Sequence, residues 1–282
     1  MTGDRYTSAW PDGAGGAAGA ATGRVAAVGR PTRARRRRVG ATLLAGTLAV
    51  VAVWGVNLWQ VRVSVAEYAQ WWDQPRGEPG GLLYVALGDS AAQGIGASRP
   101  DRGYVGLIAQ RLRETTGRPV QVVNLSRSGA RVRDVVDDQL PRLAALRPDL
   151  VTVGVGGNDI RGYDADRYER DVTALVDGLP AGAVIADTPY FMHGAAQRDA
   201  DRAAAAVTHL AEQRGLVVAP LQEAMRRRGW RAMLTDYAAD WFHPNDRGHR
   251  VLASTFWDAI GSRLVSGSPA AGVDHAAGRA AE

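Results

Sequence analysis

Between positions 82 and 265 the apolar residues follow two alternating rhythms. Short, mostly apolar runs at 82–87, 120–125, 150–155, 183–186 and 216–219 have the length and bulk of strands. Between them, apolar residues recur every three or four positions. Tyr104, Leu107, Ile108 and Leu112 form one such stripe, closed by Gly117, and Val132, Val135, Val136 and Leu140 form a second, interrupted by Pro141. Tyr168, Val172, Leu175 and Val176 mark a third, the alanine-rich stretch around 202–214 a fourth, and Val251, Leu252, Phe256 and Ile260 the last. Strands that alternate strictly with helices predict an α/β domain, a mainly parallel sheet covered by helices on both faces. Ligands of such sheets sit at the carboxyl ends of the strands.

Residues 39–59 have neither rhythm: they are 21 residues without one charged side chain. As a helix they would reach about 32 Å, enough for a bilayer core of about 30 Å. Trp54, Trp59, Tyr68, Trp71 and Trp72 gather at and beyond the far end, where amphipathic rings favour the headgroup layer. Eight arginines against two aspartates in residues 1–38 give a local +6, so the remaining residues hold −1 of the chain's net +5. No basic face is left to grip phosphates, and the composition points away from a nucleic-acid partner. By the positive-inside rule, residues 1–38 stay cytoplasmic and everything after about residue 60 faces outward. A buried core helix is disfavoured because soluble helices seldom run this long without a charge. A cleaved export signal is the rival, with Ser64-Val65-Ala66 as its cleavage site, but its apolar core would be shorter. The expected layout is a disordered Arg-rich cytoplasmic tail (1–38), a transmembrane signal-anchor helix (39–59), a juxtamembrane linker (60–81), a catalytic domain (82–265) and a loose C-terminal tail (266–282). The absence of cysteine rules out disulfides and thiolate metal sites.

Three motifs fall just after predicted strands, and so on one rim of the sheet. Gly88-Asp89-Ser90 follows the first strand, Ser128-Gly129 the second and Gly156-Gly157-Asn158-Asp159 the third. A serine hydroxyl needs a base to become a nucleophile. His243 stands out among the five histidines because Asp240 precedes it by three residues, close enough to fix the imidazole tautomer. His209 and His275 sit in polar or loose surroundings. Asn158 offers a neutral amide for a developing oxyanion, Ser90 its own N–H and Gly129 a further backbone N–H, although Gly129 alone also fits an ordinary turn. Asp236, Asp240, His243, Asp246 and His249 can be read as metal ligands, but the two histidines are six apart, not four. Gly94-Ile95-Gly96-Ala97 lacks the third glycine of a dinucleotide loop, and the sequon Asn124-Leu125-Ser126 ends a buried strand. Neither a cofactor nor a metal is called for.

The four blocks Gly88-Asp89-Ser90, Gly129, Gly156-Gly157-Asn158-Asp159 and Asp240-Trp241-Phe242-His243 resemble, in order, those of the SGNH hydrolases, or GDSL-type esterases and lipases. The likeness covers about residues 82–264. It implies a flavodoxin-like three-layer α/β/α sandwich, with Ser90 as nucleophile, His243 as base, Asp240 as its orienting acid, and Ser90, Gly129 and Asn158 as the oxyanion hole. It further implies a small-molecule, lipid or glycan ester as substrate, and leaves acyl transfer to an envelope sugar, or a fold that binds without turnover, as alternatives. The family's usual leucine after the serine is Ala91 here. No Gly-x-Ser-x-Gly elbow is present, which sets the α/β-hydrolase scaffold aside. Tyr190, Phe191 and Met192 are expected to line an acyl pocket.

Overall fold

The computed structural model describes residues 33–265. The first 32 residues of the Arg-rich tail and the whole C-terminal tail, with His275, lie outside the described residues. The chain divides into two units, 1–49 and 50–282. In the first unit the described residues form the start of helix α1 (Arg33–Trp72), where Leu43, Leu44 and Leu48 are exposed. A segment of α1 within Ala41–Trp72 is long and apolar enough to cross a membrane.

In the second unit, α1 does not stop at residue 59. Residues 60–72, expected as linker, stay helical: they contain no Gly or Pro, and Ser64, Tyr68 and Trp72 recur at four-residue spacing and are buried. The Tyr68 hydroxyl donates to Ala97 O (2.8 Å) and the Trp72 indole to Gln93 O (3.0 Å), so both polar tips are satisfied where the rings are buried. Only residues 73–81 remain as a connection. They include the edge strand β1 (Arg76–Gly77), which pairs antiparallel with β3 (Val120–Asn124).

The sheet runs β1-β3-β2-β4-β5-β6, with β2 (Leu82–Gly88), β4 (Leu150–Gly154), β5 (Val184–Ala186) and β6 (Val217–Ala219). Every pairing except that of β1 is parallel, and the order of the five parallel strands is the flavodoxin-like one. The alternation of side chains along β2 builds both cores. Val85 and Leu87 point into a cluster with Val172 and Leu175 of α6 (Ala165–Gly178) and Ala203 and Val207 of α7 (Gly194–Gln213). Tyr84 and Ala86 face the opposite cluster, with Ile108 of α3 (Tyr104–Thr116) and Phe256 of α10 (Asp246–Val265). Trp72 belongs to that second core.

Pro141 does not end its helix. The short α4 (Val132–Asp134) runs into α5 (Leu140–Ala144) through a five-residue π turn, Val135–Gln139. Proline cannot donate to the carbonyl four residues back, and the wider turn accommodates the missing bond. The turn places the Gln139 amide against Gly88, where it accepts from Gly88 N and donates to Gly88 O, both at 2.9 Å. Residues 89–93 lie just beyond, with α2 (Ser90–Gln93) as a single helical turn.

Candidate active site

Strand β2 stops where its backbone must turn. Gly88 has φ +148°, and a Cβ there would meet Gly154 O at 2.2 Å, so the strand ends on a residue that only glycine fills without displacing β4. Asp89 caps α2, its Oδ1 accepting from Ala91 N at 3.0 Å. Ser90 is thereby the first residue of that turn, at the carboxyl end of β2 and between the loops that follow β3 and β4. Burial pushes the Asp89 carboxyl up to about 6, against the pull of the Ala91 N–H and of His243.

The loop between α9 (Ala232–Thr235) and α10 brings the imidazole to the serine. His243 Nε2 is 2.9 Å from Ser90 Oγ, and His243 Nδ1 is 2.5 Å from Asp240 Oδ2. The other oxygen, Asp240 Oδ1, accepts from the Phe242 N–H (3.1 Å) and the His243 N–H (3.0 Å). Burial raises the Asp240 carboxyl, but these hydrogen bonds, led by the His243 side chain, outweigh it and hold the group below the usual carboxylate range. The tight loop carries a cost at Trp241, whose φ of +57° is unusual for a bulky residue. Its base is clamped: Ala238 N donates to His243 O, Asn245 N to Asp236 O, and Arg228 reaches both oxygens of the buried Asp236. Gly96 closes against the same loop, where a Cβ would strike Pro244 O at 2.4 Å. That close approach, and not a dinucleotide, accounts for the glycine in Gly94-Ile95-Gly96.

Gly129 lies on the loop after β3 and Asn158 on the loop after β4, flanking Ser90 from either side. The Asn158 amide donates to Ala130 O at 3.0 Å, and more weakly to Asp89 Oδ2 at 3.4 Å. It thus ties the two loops together beside Ser90. Asp159 takes no part in that chain: its Oδ2 accepts from Val132 N (3.2 Å), and burial raises its carboxyl to about 6.

Several residues that position this site carry no motif. Gln93 lies one turn after Ser90, fully buried, and grips the Gly129 loop: its Oε1 accepts from Ser128 N (3.1 Å) and Ser128 Oγ (2.5 Å), and its Nε2 donates to Ser126 O (3.2 Å). Its three-residue spacing from Ser90 was the available signal. His249, weighed above as a metal ligand, is fully buried in another role. Its Nε2 donates to Ile95 O (3.1 Å), its Nδ1 accepts from Tyr104 N (3.3 Å), and burial lowers it to about 4. Asp236 is committed to Arg228 and Arg247, and Asp246 to Ser98. The five residues therefore do not converge on one point. The sequon asparagine, Asn124, is buried and donates to Ala92 O.

A cavity of about 300 Å³ opens from Ser90 and His243, with Tyr190, Phe191 and Met192 in its wall as expected. Its far side comes from segments that the hydrophobic pattern did not predict, α8 (Leu221–Arg228) and α9, through Leu221, Met225 and Met233. A hydroxyl, an imidazole and a carboxylate joined in series beside an apolar cavity can carry out acyl transfer through a covalent intermediate.

Comparisons with known proteins agree with this chemistry. The acetylxylan esterase of Geobacillus stearothermophilus is 29% identical over 215 residues, which cover 65% of this chain and 95% of that protein. Among solved structures, LAE5, described as an alpha/beta hydrolase enzyme from the metagenome of Lake Arreo, Spain, matches 64% of this chain and 95% of its own at 26% identity, with a TM-score of 0.55. The Geobacillus stearothermophilus acetylxylan esterase Axe2, in a form with one serine replaced by alanine, matches 64% of this chain and 94% of its own at 26% identity, with a TM-score of 0.53. Forms of Axe2 altered at that serine, at an aspartate and at a histidine are described as catalytic mutants, the last two positions three apart. The model of the GDSL-like lipase/acylhydrolase family matches residues 86–251, which reach from the strand that presents Ser90 to the helix that follows His243. With that match and these relatives, the chain belongs to the GDSL-like lipase/acylhydrolase family and is a carboxylic ester hydrolase.

Proposed function

We propose that the protein is a membrane-anchored, extracytoplasmic serine esterase in which Ser90 is the nucleophile, His243 the general base and Asp240 the group that orients it. The observation that carries this reading is the unbroken chain from Ser90 Oγ through the imidazole to Asp240 Oδ2. The catalytic aspartate and histidine of Axe2, also three positions apart, support it. With Nδ1–H held by Asp240, Nε2 is free to take the Ser90 proton as Oγ attacks the ester carbonyl. The same nitrogen returns the proton to the leaving alkoxide, and water then repeats the sequence in reverse roles to release the acid. The Ser90 and Gly129 N–H groups meet the negative oxygen, joined by the Asn158 amide once it exchanges its weak 3.4 Å bond to Asp89 Oδ2 for one to the substrate. The apolar part of α1 is the anchor, and the arginines before it keep residues 1–38 in the cytoplasm.

The cavity argues for an acyl group larger than acetyl. Acetylxylan is the substrate in the Geobacillus relative's name. An acetyl group would leave most of a 300 Å³ cavity walled by Phe191, Met192, Met225 and Met233 empty. Apolar walls of this kind reward apolar substrate atoms. The test is hydrolysis of nitrophenyl esters of increasing acyl length by the full chain and by Ser90→Ala. Wild-type kcat/KM should rise beyond the acetyl ester, and Ser90→Ala should lose activity and fluorophosphonate labelling together. Undiminished turnover in Ser90→Ala would refute the serine mechanism, and a maximum at acetyl would refute the larger acyl group.

A further inference from the structure

We propose that the mouth of the cavity is itself a membrane-docking surface, through which the site takes an ester embedded in the bilayer that holds α1. This inference rests on the reading of the protein as a membrane-anchored esterase and adds the phase from which the substrate arrives. Four large apolar side chains stand exposed around the mouth: Trp230 (64%), Leu234 (66%), Trp241 (50%) and Phe242 (49%). Trp241 and Phe242 line the cavity directly. Trp230 and Leu234 alternate in sequence with Gly229, Ala232 and Met233, which also line it. Clustered exposure of this size around an opening is the mark of an interaction surface and not of scattered surface apolarity.

The occupant follows from where the rim meets α1. The Trp54 indole donates to Ala239 O at 3.0 Å, one residue before Asp240. Trp54 lies inside the uncharged stretch 39–59, five residues short of its outer end. At 1.5 Å per residue that is about 7 Å below the end of the apolar helix. If residue 239 stood in water clear of the bilayer, only residues 39–53 would remain to span it. Those residues would reach about 22 Å, short of a hydrocarbon core of about 30 Å. The rim is thus held at the level of the headgroups and the first acyl carbons. Its composition suits that layer: two indoles, a phenyl and a leucyl group, with the Arg231 guanidinium over the Trp230 ring (5.7 Å) and free to reach lipid phosphate. An ester whose acyl chain lies among lipids then enters a cavity lined with Phe191, Met192, Met225 and Met233 without crossing water.

The chain has no cysteine, so one introduced thiol can be labelled cleanly. Leu234→Cys and, as a control, Glu114→Cys near the end of α3 would carry a nitroxide in the full chain, reconstituted in phosphatidylethanolamine–phosphatidylglycerol vesicles. At 234 the label should be relaxed more by oxygen than by a water-soluble nickel chelate, and at 114 the reverse. In parallel, Trp230→Ser with Leu234→Ser should leave hydrolysis of dissolved nitrophenyl acetate unchanged. The same variant should slow hydrolysis of diacylglycerol in the vesicle membrane at least tenfold. A label at 234 that sees the nickel chelate as freely as at 114 overturns the inference, as does one shielded from both reagents, which indicates a protein partner on the rim. Equal loss on both substrates also overturns it. Wild type inactive on both esters, dissolved and embedded, defeats instead the esterase reading on which the inference rests.

Discussion

Asp240→Asn tests the proposed mechanism at one atom. Asp240 Oδ1 accepts two backbone N–H groups, from Phe242 and His243, while Oδ2 faces His243 Nδ1. An amide has one oxygen, and the two backbone donors claim it, because placing the NH₂ against them would leave both unpaired and bring donors together. The NH₂ is then forced onto Nδ1. A donor there stabilises the tautomer with its proton on Nε2, the nitrogen 2.9 Å from Ser90 Oγ, so that the base arrives already protonated. The charge that would balance the imidazolium is lost as well. Where an analogous aspartate has been replaced in this way, the loss is about 10⁴ in kcat, or roughly 5 kcal/mol of barrier. We expect that loss in the hydrolysis of nitrophenyl butyrate at pH 7.5, with KM within about threefold of wild type, since Asp240 does not line the cavity. Thermal unfolding should confirm that the loop survives, because the Oδ1 hydrogen bonds are retained. A decrease of less than tenfold in kcat would show that the carboxylate does not set the tautomer, and the assignment of Asp240 as the orienting acid would have to be abandoned.

Asn158→Ala should lower kcat by about 10²–10³ with a modest change in KM; a raised KM with kcat intact would make Asn158 a binding residue and leave the oxyanion to backbone donors. Gln93→Leu strips partners from Ser128 N, Ser128 Oγ and Ser126 O. It should slow fluorophosphonate labelling of Ser90 by tenfold or more, whereas Gln93→Glu, which keeps the acceptor, should recover part of the rate; equal rates in both variants would remove Gln93 from the positioning of the Gly129 loop. Stability should fall as pH rises from about 4 to 6. Burial raises Asp89, Asp159 and Asp187 each to about 6, above the unfolded carboxyl value of 3.8. Their contribution is therefore fully present below 3.8 and lost as pH passes through 6. His249, lowered to about 4, acts in the opposite direction, one group against three. Asp159→Asn keeps an acceptor for Val132 N and should flatten the dependence of the urea midpoint on pH; an unchanged slope would show that Asp159 is not a source of it.

The sequence made the sheet legible because the central strands are largely buried and read as mostly apolar runs, as 82–87 does. The site was legible because its groups lie at strand ends or three residues apart, as Asp240 and His243 do. Less visible were the pieces whose role depends on tertiary partners. The helix α8 has three arginines in its last turn and few apolar residues, and its pattern does not reveal that Leu221 and Met225 wall the cavity. Gln93 and Gln139 are polar residues in the core, and only the loops they grip explain them. For His249 the six-residue spacing from His243 argued against a metal ligand, but the two backbone partners that hold the ring in the core are not readable from the sequence. The reach of α1 was missed because its face on the domain is sparse, one contact each turn at Ser64, Tyr68 and Trp72.

That sparse face sets how the enzyme searches for substrate. A flexible coil over residues 60–81 would let the domain wander by about 25 Å, sampling solution as well as surface. With Tyr68 bonded to Ala97 O and Trp72 to Gln93 O, the helix is a stalk and not a leash, and the opening of the cavity keeps one height and one tilt relative to residues 50–72. On the membrane-docking reading proposed above, encounters then depend on lateral diffusion, and turnover should follow the number of ester molecules per unit area of membrane. At a fixed amount of ester, adding inert lipid would dilute the substrate even though its concentration in the tube had not changed.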